Sequence, residues 1–269
     1  MTGTRASSPA GTIAGVLLSG LLFATTAYAQ SPSAPPPAAP GAPAAPRRTT
    51  GSVTVSFSAN TGRSDLLATT VMAAVERPLA GGSRVSASTT YSRASTLVPG
   101  YTERLVVVDQ WFVSAGTVHP LDHHLVALQS AFFERDSMTA LDHRVAEAVG
   151  VGVRLGHPRV TFTAAPLVAV AEQDRNLQTD RDGLSAYSGL FEKVTVAVAP
   201  GWNLSHNLTA FRGVPHSEDI FFFSDTSLTG SVTPHFGVNV SYHFDRESLL
   251  ISGLNPWNRL LQVGVQWRF

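Results

Sequence analysis

The chain has 269 residues, enough for one large domain or two small ones. Hydrophobic residues make up 43% and charged residues only 14%, at a formal net charge of +0, low in charge for a soluble surface. With no cysteine, disulfides, thiolate metal sites and a lipid-modified N-terminal Cys are excluded, and there is no basic patch of the kind nucleic acid requires.

The first 29 residues read as a secretory signal. Arg5 is the only charge before Arg47, an apolar run extends from Ile13 to Ala24, and Ala27-Tyr28-Ala29 is a small-x-small cleavage pattern. A retained anchor is the alternative, disfavoured by the shortness of the run. Residues 30–50 are rich in Pro and Ala and cannot bury a core, which predicts an extended spacer. In a barrel with both ends in the periplasm this tether lies there too, where it could touch peptidoglycan. Removing Arg5, Arg47 and Arg48 leaves 16 basic against 19 acidic residues, or −3, beyond residue 50.

From residue 51 to 269 the text becomes short alternating segments separated by turn residues. Val53, Val55 and Phe57 alternate with serines and Thr54, and strands put alternate side chains on opposite faces. The alternation predicts further strands near 65–77, 85–91, 102–114, 123–135, 141–155, 159–172 and 187–199. Two less regular ones lie near 203–212 and 218–229. An eleventh runs from Phe236 to Phe244, and a twelfth closes the chain. Val106, Val108 and Phe112 are expected on the lipid face of the fourth, and Val126, Leu128 and Phe132 on that of the fifth. At Ile220-Phe221-Phe222-Phe223 both faces are apolar and parity is unreadable. Short connections at 79–82, 156–158, 200–202 and 230–234 fall on alternate hairpins, and longer ones at 173–186 and 245–256 on the others, as in bacterial barrels. The connection at 115–122 is long for its side. Aromatics near strand ends (Tyr91, Trp202, Tyr242, Phe244, Trp257, Trp267 and Phe269) are expected to form interfacial girdles.

The same parity places charges inside. With Val145, Val149, Val151 and Val153 toward lipid, Asp142, Arg144 and Arg154 face the lumen, joined by Arg159, Asp109 and Arg135. Such a cluster either neutralises itself and plugs the barrel or forms a selective constriction. A competing idea is a lipid hydrolase. Ser130 shares parity with Leu128 and Phe132, and His143 and Glu147 share parity with Val145 and Val149, so a Ser, a His and a carboxylate could meet on the outer face. His119-Pro120-Leu121-Asp122-His123-His124 lacks the ligand pattern of a metal site and is read as a solvated turn. No cofactor or metal is expected.

The last eight residues carry the sharpest signal. Val263, Val265, Trp267 and Phe269 form one face and Gln262, Gly264, Gln266 and Arg268 the other. Gln262, Gly264, Trp267 and Phe269 match, position for position, the C-terminal signal of bacterial outer-membrane β-barrels, which this segment resembles. The resemblance implies a closing strand read by the barrel-assembly machinery. Alternation alone would also suit a soluble sandwich or lipocalin-like barrel with its apolar face inside. The terminal signal, the export signal and the small residues on the polar face favour the membrane.

Phe133-Glu134-Arg135-Asp136, Leu141-Asp142-His143-Arg144 and Gly150-Val151-Gly152, with the opening Ser56-Phe57-Ser58-Ala59-Asn60-Thr61-Gly62, resemble the YdiY-like outer-membrane proteins, a family of unknown function often described as salt-induced. The resemblance spans about 51–269 and implies an outer-membrane barrel among lipids, with no catalytic residues. The expectation is therefore an all-β, closed antiparallel transmembrane barrel of about twelve strands. It would be non-enzymatic, either structural or stress-related or passing small solutes, and of open oligomeric state.

Overall fold

The alternating segments become long strands that pair with their neighbours in chain order. The computed structural model describes residues 48–60, 65–97, 102–137, 141–175, 182–214, 216–247 and 257–269, with backbone alone at 59–60, 65–66, 175, 247 and 257–258. The export signal and the tether as far as residue 47 lie outside the described residues, as do the tips of most of the longer loops.

The strands are β1 (Thr50–Asn60), β2 (Asp65–Pro78), β3 (Arg84–Leu97), β4 (Arg104–Pro120), β5 (Leu125–Asp136) and β6 (Leu141–His157). They continue with β7 (Val160–Arg175), β8 (Gly183–Ala199), β9 (Trp202–Gly213), β10 (Ile220–Ser231), β11 (Phe236–Glu247) and β12 (Trp257–Arg268). Every strand pairs antiparallel with the next, and β12 returns to β1, closing a twelve-stranded barrel. Closure leaves no row of unpaired N–H and C=O groups, each of which would cost several kcal/mol in hydrocarbon.

The seam shows why the last segment has its composition. Val53 faces Trp267, Val55 faces Val265 and Ser56 faces Gly264 across β1 and β12. Gly51 and Phe269 exchange backbone hydrogen bonds of 3.0 and 3.1 Å. A Cβ at Gly264 would collide with Ser56 Oγ and the Val55 carbonyl, so this rung closes only around glycine.

The two faces are sorted as a membrane barrel requires. Val263 and Val265 are 58% and 59% exposed on the outside, while Gln262 and Gln266 are 6% and 2% exposed within. A soluble sandwich or lipocalin-like barrel would show the reverse, so that alternative is overturned. Tyr91, Trp111, Trp202, Tyr242, Trp267 and Phe269 are exposed on the outer surface, where aromatic girdles belong. The Trp257 side chain lies outside the described residues.

One end of the barrel carries tight connections only. Gly81 and Gly82 turn the chain between β2 and β3 with φ of 69° and 78°, a region that suits glycine. Leu121–His124, Pro158–Arg159, Pro200–Gly201 and Val232–His235 serve the other hairpins. The long 115–122 connection expected from the sequence does not exist, because β4 runs on to Pro120. His119 thus belongs to a strand, and its Nδ1 lies 2.6 Å from Ser83 Oγ.

Two strands face the opposite way from expectation. On β5, Val126 and Leu128 are buried at 2% and 6%, and on β4 the exposed large hydrophobic side chains are Leu105, Val107 and Trp111. The lumen in this sector is itself apolar. Both faces of β4 and β5 carry apolar side chains, so a rule that sends the hydrophobic face to lipid has no purchase here and picks the wrong side.

Candidate functional site: the divided lumen

Inside the barrel the side chains form two unlike halves. Toward β5–β10 the lumen is filled. Val126, Leu128, Ala146, Ala148, Ala165, Leu167, Tyr187, Phe211 and Phe221 form a buried cluster, with Phe132 and Phe223 packed against it. Small alanines on β6 and β7 leave room for the rings of β8–β10, so the sector packs like an ordinary core.

A bridge of rings bounds this core. Phe112 of β4 stacks on Phe132 of β5 at 5.6 Å between centroids and meets Phe223 of β10 at 6.5 Å. β4 and β10 stand six places apart in the closed order of twelve, so Phe112 and Phe223 touch across the full width of the barrel.

Beyond the bridge, toward β1–β3 and β11–β12, lies a cavity of about 160 Å³ into which several polar side chains point. Residues bearing hydroxyls and amides, among them Thr54, Ser56, Thr70, Gln110, Asn239 and Gln262, line it together with apolar Met72, Val108, Phe112 and Leu260. Gln262 Nε2 donates to Thr70 Oγ1 across the intervening β1. His243 enters the cavity between two carboxylates. Its Nδ1 is 3.7 Å from Asp225 Oδ2 and its Nε2 is 3.1 Å from Asp245 Oδ1. No group of three or more His, Cys, Asp or Glu among the described residues is arranged to hold a metal.

A buried ion pair sits near the long-loop end of the filled half. Arg144 Nη1 donates to Glu134 Oε2 at 2.9 Å, and the side chains are 1% and 4% exposed. Gln110 Nε2 donates to Glu134 Oε1 at 2.9 Å, and Gln173 Oε1 accepts from Arg144. The guanidinium carbon lies 4.0 Å from the centroid of Phe221. Both charges are thus fully engaged, which is the condition for burying them.

A second cluster lies toward the tight-turn end. Arg84 Nη1 contacts Glu76 Oε1 at 3.2 Å. Arg154 interacts electrostatically with Arg84 and Glu76, and Lys193 with Glu76, Arg84 and Arg154. Arg154 and Lys193 share a rung, each facing Thr163 on β7.

Of the lumen charges expected from the sequence, Arg144 and Arg154 lie inside, but in different clusters. Asp109 is outside. It accepts from Tyr91 Oη at 3.0 Å and from Ser137 Oγ at 3.1 Å on the exposed surface. Arg135 is likewise exposed on the outer face of β5, opposite Trp111. Both follow from the inverted faces of β4 and β5. Arg159 is an exposed residue of the β6–β7 turn, beyond the strand whose parity assigned it. Asp142 sits at a register shift between Leu141 and His143, half-buried, where the bulge breaks simple alternation.

Sequence reasoning missed Glu134, Glu76, Arg84 and Lys193. The last three were readable, since they alternate with outward Val75, Val85 and Val194 on β2, β3 and β8. Glu134 was hidden by the β5 inversion.

The hydrolase arrangement does not form. Ser130 pairs with the buried Ala148 and turns inward. Glu147 is on the opposite, outer face of β6, accepting from Gln129 Nε2 at 2.9 Å, and His143 lies at the shifted end of that strand. The wall of the barrel separates the nucleophile from its would-be carboxylate.

The family described as "Protein of unknown function, DUF481" matches residues 53–269, the whole described barrel apart from its first residues. No curated protein matches the chain. Among solved structures, the chain is similar to the KdgM porin in complex with disordered oligogalacturonate, at 10% identity and a TM-score of 0.45, covering 81% of this chain and 99% of that one. It is similar to the NanC porin at 10% identity and a TM-score of 0.47, covering 81% and 97%. It is also similar to the translocator domain of the autotransporter NalP from Neisseria meningitidis, at 12% identity and a TM-score of 0.41, covering 82% and 87%.

Proposed function

We propose that this chain, which belongs to the DUF481 family of unknown function, is a non-enzymatic outer-membrane barrel that passes small polar solutes through one half of its lumen. The observation that carries the reading is the division of the interior. An all-apolar filling would be a pure plug, and an all-polar one a wide pore. Here a cavity of about 160 Å³, whose wall mixes hydroxyls and amides with apolar carbon, runs beside a packed core. It has room for several waters, a size that suits small molecules. Polar side chains take over hydrogen bonds that a solute gives up on leaving water.

Location follows from chemistry of the same kind. The outward band of Val, Leu and aromatic residues suits hydrocarbon. Residues 1–29 would direct export and be removed, and residues 30–50 would tether the barrel on the periplasmic side, within reach of peptidoglycan. Tight turns mark the periplasmic end of bacterial barrels, which would put both termini there. Gln262, Gly264, Trp267 and Phe269 would be read by the assembly machinery before the seam closes, and outer-membrane lipids would surround the finished wall.

The Phe112–Phe223 bridge and the Arg144–Glu134 pair favour a second reading, a closed barrel with a structural or stress-related role. Conductance of the refolded protein across a planar bilayer separates the two. Discrete small steps support passage, and a silent bilayer supports the closed barrel.

A further inference from the structure

We infer that the outer wall near the long-loop end binds the phosphate groups of anionic lipid headgroups, through arginines held at one level on β9, β11 and β12. The assignment rests on the membrane placement read above and is independent of passage through the lumen.

Five strands carry an outward arginine at this level: Arg93 of β3, Arg135 of β5, Arg212 of β9, Arg246 of β11 and Arg259 of β12. Four are exposed and Arg246 is half-buried. Counted from the tight-turn end of its strand, each lies nine or ten residues along. The starting points are Arg84, Leu125, Trp202, Phe236 and, running backwards, Arg268. With a rise of about 3.3 Å per residue and a tilt of about 40°, they stand about 24 Å above the tight turns. The apolar band of a bacterial barrel is about 25 Å tall, so the arginines mark its upper edge. At the tight-turn end the outward strand faces hold one arginine, Arg77, among the described residues.

On β9–β12 the arginines form one patch. Arg246 faces Phe222 of β10, and Arg259 faces Phe244 of β11. The Arg259 guanidinium carbon lies 5.4 Å from the centroid of Phe244, which meets Phe222 edge-on at 5.5 Å. Arg259 also borders the cavity, but its head lies over this outward ring. Arg212 faces Ile220, diagonal to Phe222, and its Nε donates to the Ser217 carbonyl at 2.8 Å, a bond that does not use its Nη groups. Arg246 has a further partner in the chain; Arg212 and Arg259 flank it on either side. Like charges on neighbouring strands repel, and an anion between them turns that repulsion into attraction.

The acids of this end lie elsewhere. Asp109, opposite Arg93, accepts from Tyr91 and Ser137, and Glu147, Glu172, Asp174 and Glu192 stand on β6–β8. Asp225 and Asp245 point inward at His243. Among the described residues no outward strand position of β9–β12 is acidic. Glu218 is in the β9–β10 turn, 4.0 Å from His216 Nδ1, and residues 248–256 carry no charge. Below the patch, Tyr242, Leu261 and Val263 are exposed at 43%, 59% and 58%, a surface for acyl chains. An anion joined to acyl chains matches both levels, and the guanidinium fork fits phosphate oxygens two at a time.

The test is native mass spectrometry of the refolded, full-length mature protein in neutral detergent. Lipid A, a diphosphorylated glycolipid, is titrated beside the same lipid stripped of both phosphates. One arginine near an anionic headgroup contributes about fivefold in affinity, so three favour the phosphorylated form roughly a hundredfold. In Arg246→Gln/Arg259→Gln that affinity falls about thirtyfold. In Arg77→Gln, an outward arginine at the other end, it does not change. Heat-modifiable migration on gels confirms that each variant is a folded barrel. Equal binding of the two lipids, or a double variant that binds like wild type, overturns the headgroup site while leaving the membrane barrel standing. Loss of lipid in Arg77→Gln places the phosphates at the tight-turn end and overturns it too. Displacement of the lipid by equimolar inorganic phosphate makes the site one for a free anion and overturns the lipid assignment. A wild type that forms no heat-modifiable barrel in detergent overturns the membrane reading, and the headgroup site with it.

Discussion

Phe112 and Phe223 hold opposite walls of the barrel together, 6.5 Å apart between ring centroids across twelve strands that close in a ring. The contact turns one interior into two. It also lets a cavity with polar side chains in its wall coexist with a core that stabilises the barrel by packing.

Cutting that contact should widen the passage. Phe112→Ala removes the ring that stacks on Phe132 and reaches Phe223, joining the cavity to the space it vacates. Single-channel conductance is expected to rise severalfold over wild type. Unfolding in urea should show a loss of about 3 kcal/mol, typical of a large ring removed from a packed interior. Unchanged conductance would mean that the rings do not limit the path.

The Arg144–Glu134 pair should behave as a buried ion pair does. Glu134→Gln strands a guanidinium that is 1% exposed, at an expected cost of about 3–5 kcal/mol. Replacing both, as Arg144→Met/Glu134→Leu, should recover most of that loss, because two desolvated charges disappear together. Denaturant titrations of the single and double variants measure the coupling. Additive losses would show that the two side chains act independently.

Gly264 is expected to govern closure. Gly264→Val pushes a branched side chain into Ser56 and the Val55 backbone, an overpacking worth about 1–3 kcal/mol at the seam. The fraction migrating as heat-modifiable barrel after refolding should drop. Gly156→Ala, in open space at the end of β6, should not change it.

The architecture was legible because alternation and the closing segment act on the whole wall. Strand number, pairing order, the tight-turn end and the outward valines of β2, β6–β8, β11 and β12 all follow from a two-residue period. The lumen was legible only where its filling is polar. On β4 and β5 both faces are apolar, so the side that meets lipid is chosen by what fills the opposite interior, namely Phe223, Phe211 and Leu167 from distant strands. That choice moved Asp109, Arg135 and Ser130 to the other side of the wall and concealed Glu134. The cluster of Glu76, Arg84, Arg154 and Lys193 failed for a different reason. Each member was readable on its own strand, but their convergence depends on how the strands close.

The sorting of faces on β5 and β12 is the claim on which the divided lumen depends, and a chain without cysteine allows it to be measured directly. Single cysteines placed along 125–133 and 260–266, labelled with nitroxide and refolded into bilayers, report collision with dissolved oxygen. High accessibility is expected at Leu261, Val263 and Val265, and on β5 at Ala127, Ala131 and Phe133, with low values at Gln262, Val126, Leu128 and Phe132. High oxygen accessibility at Val126, Leu128 and Phe132, with Ala127 and Ala131 protected, would contradict it.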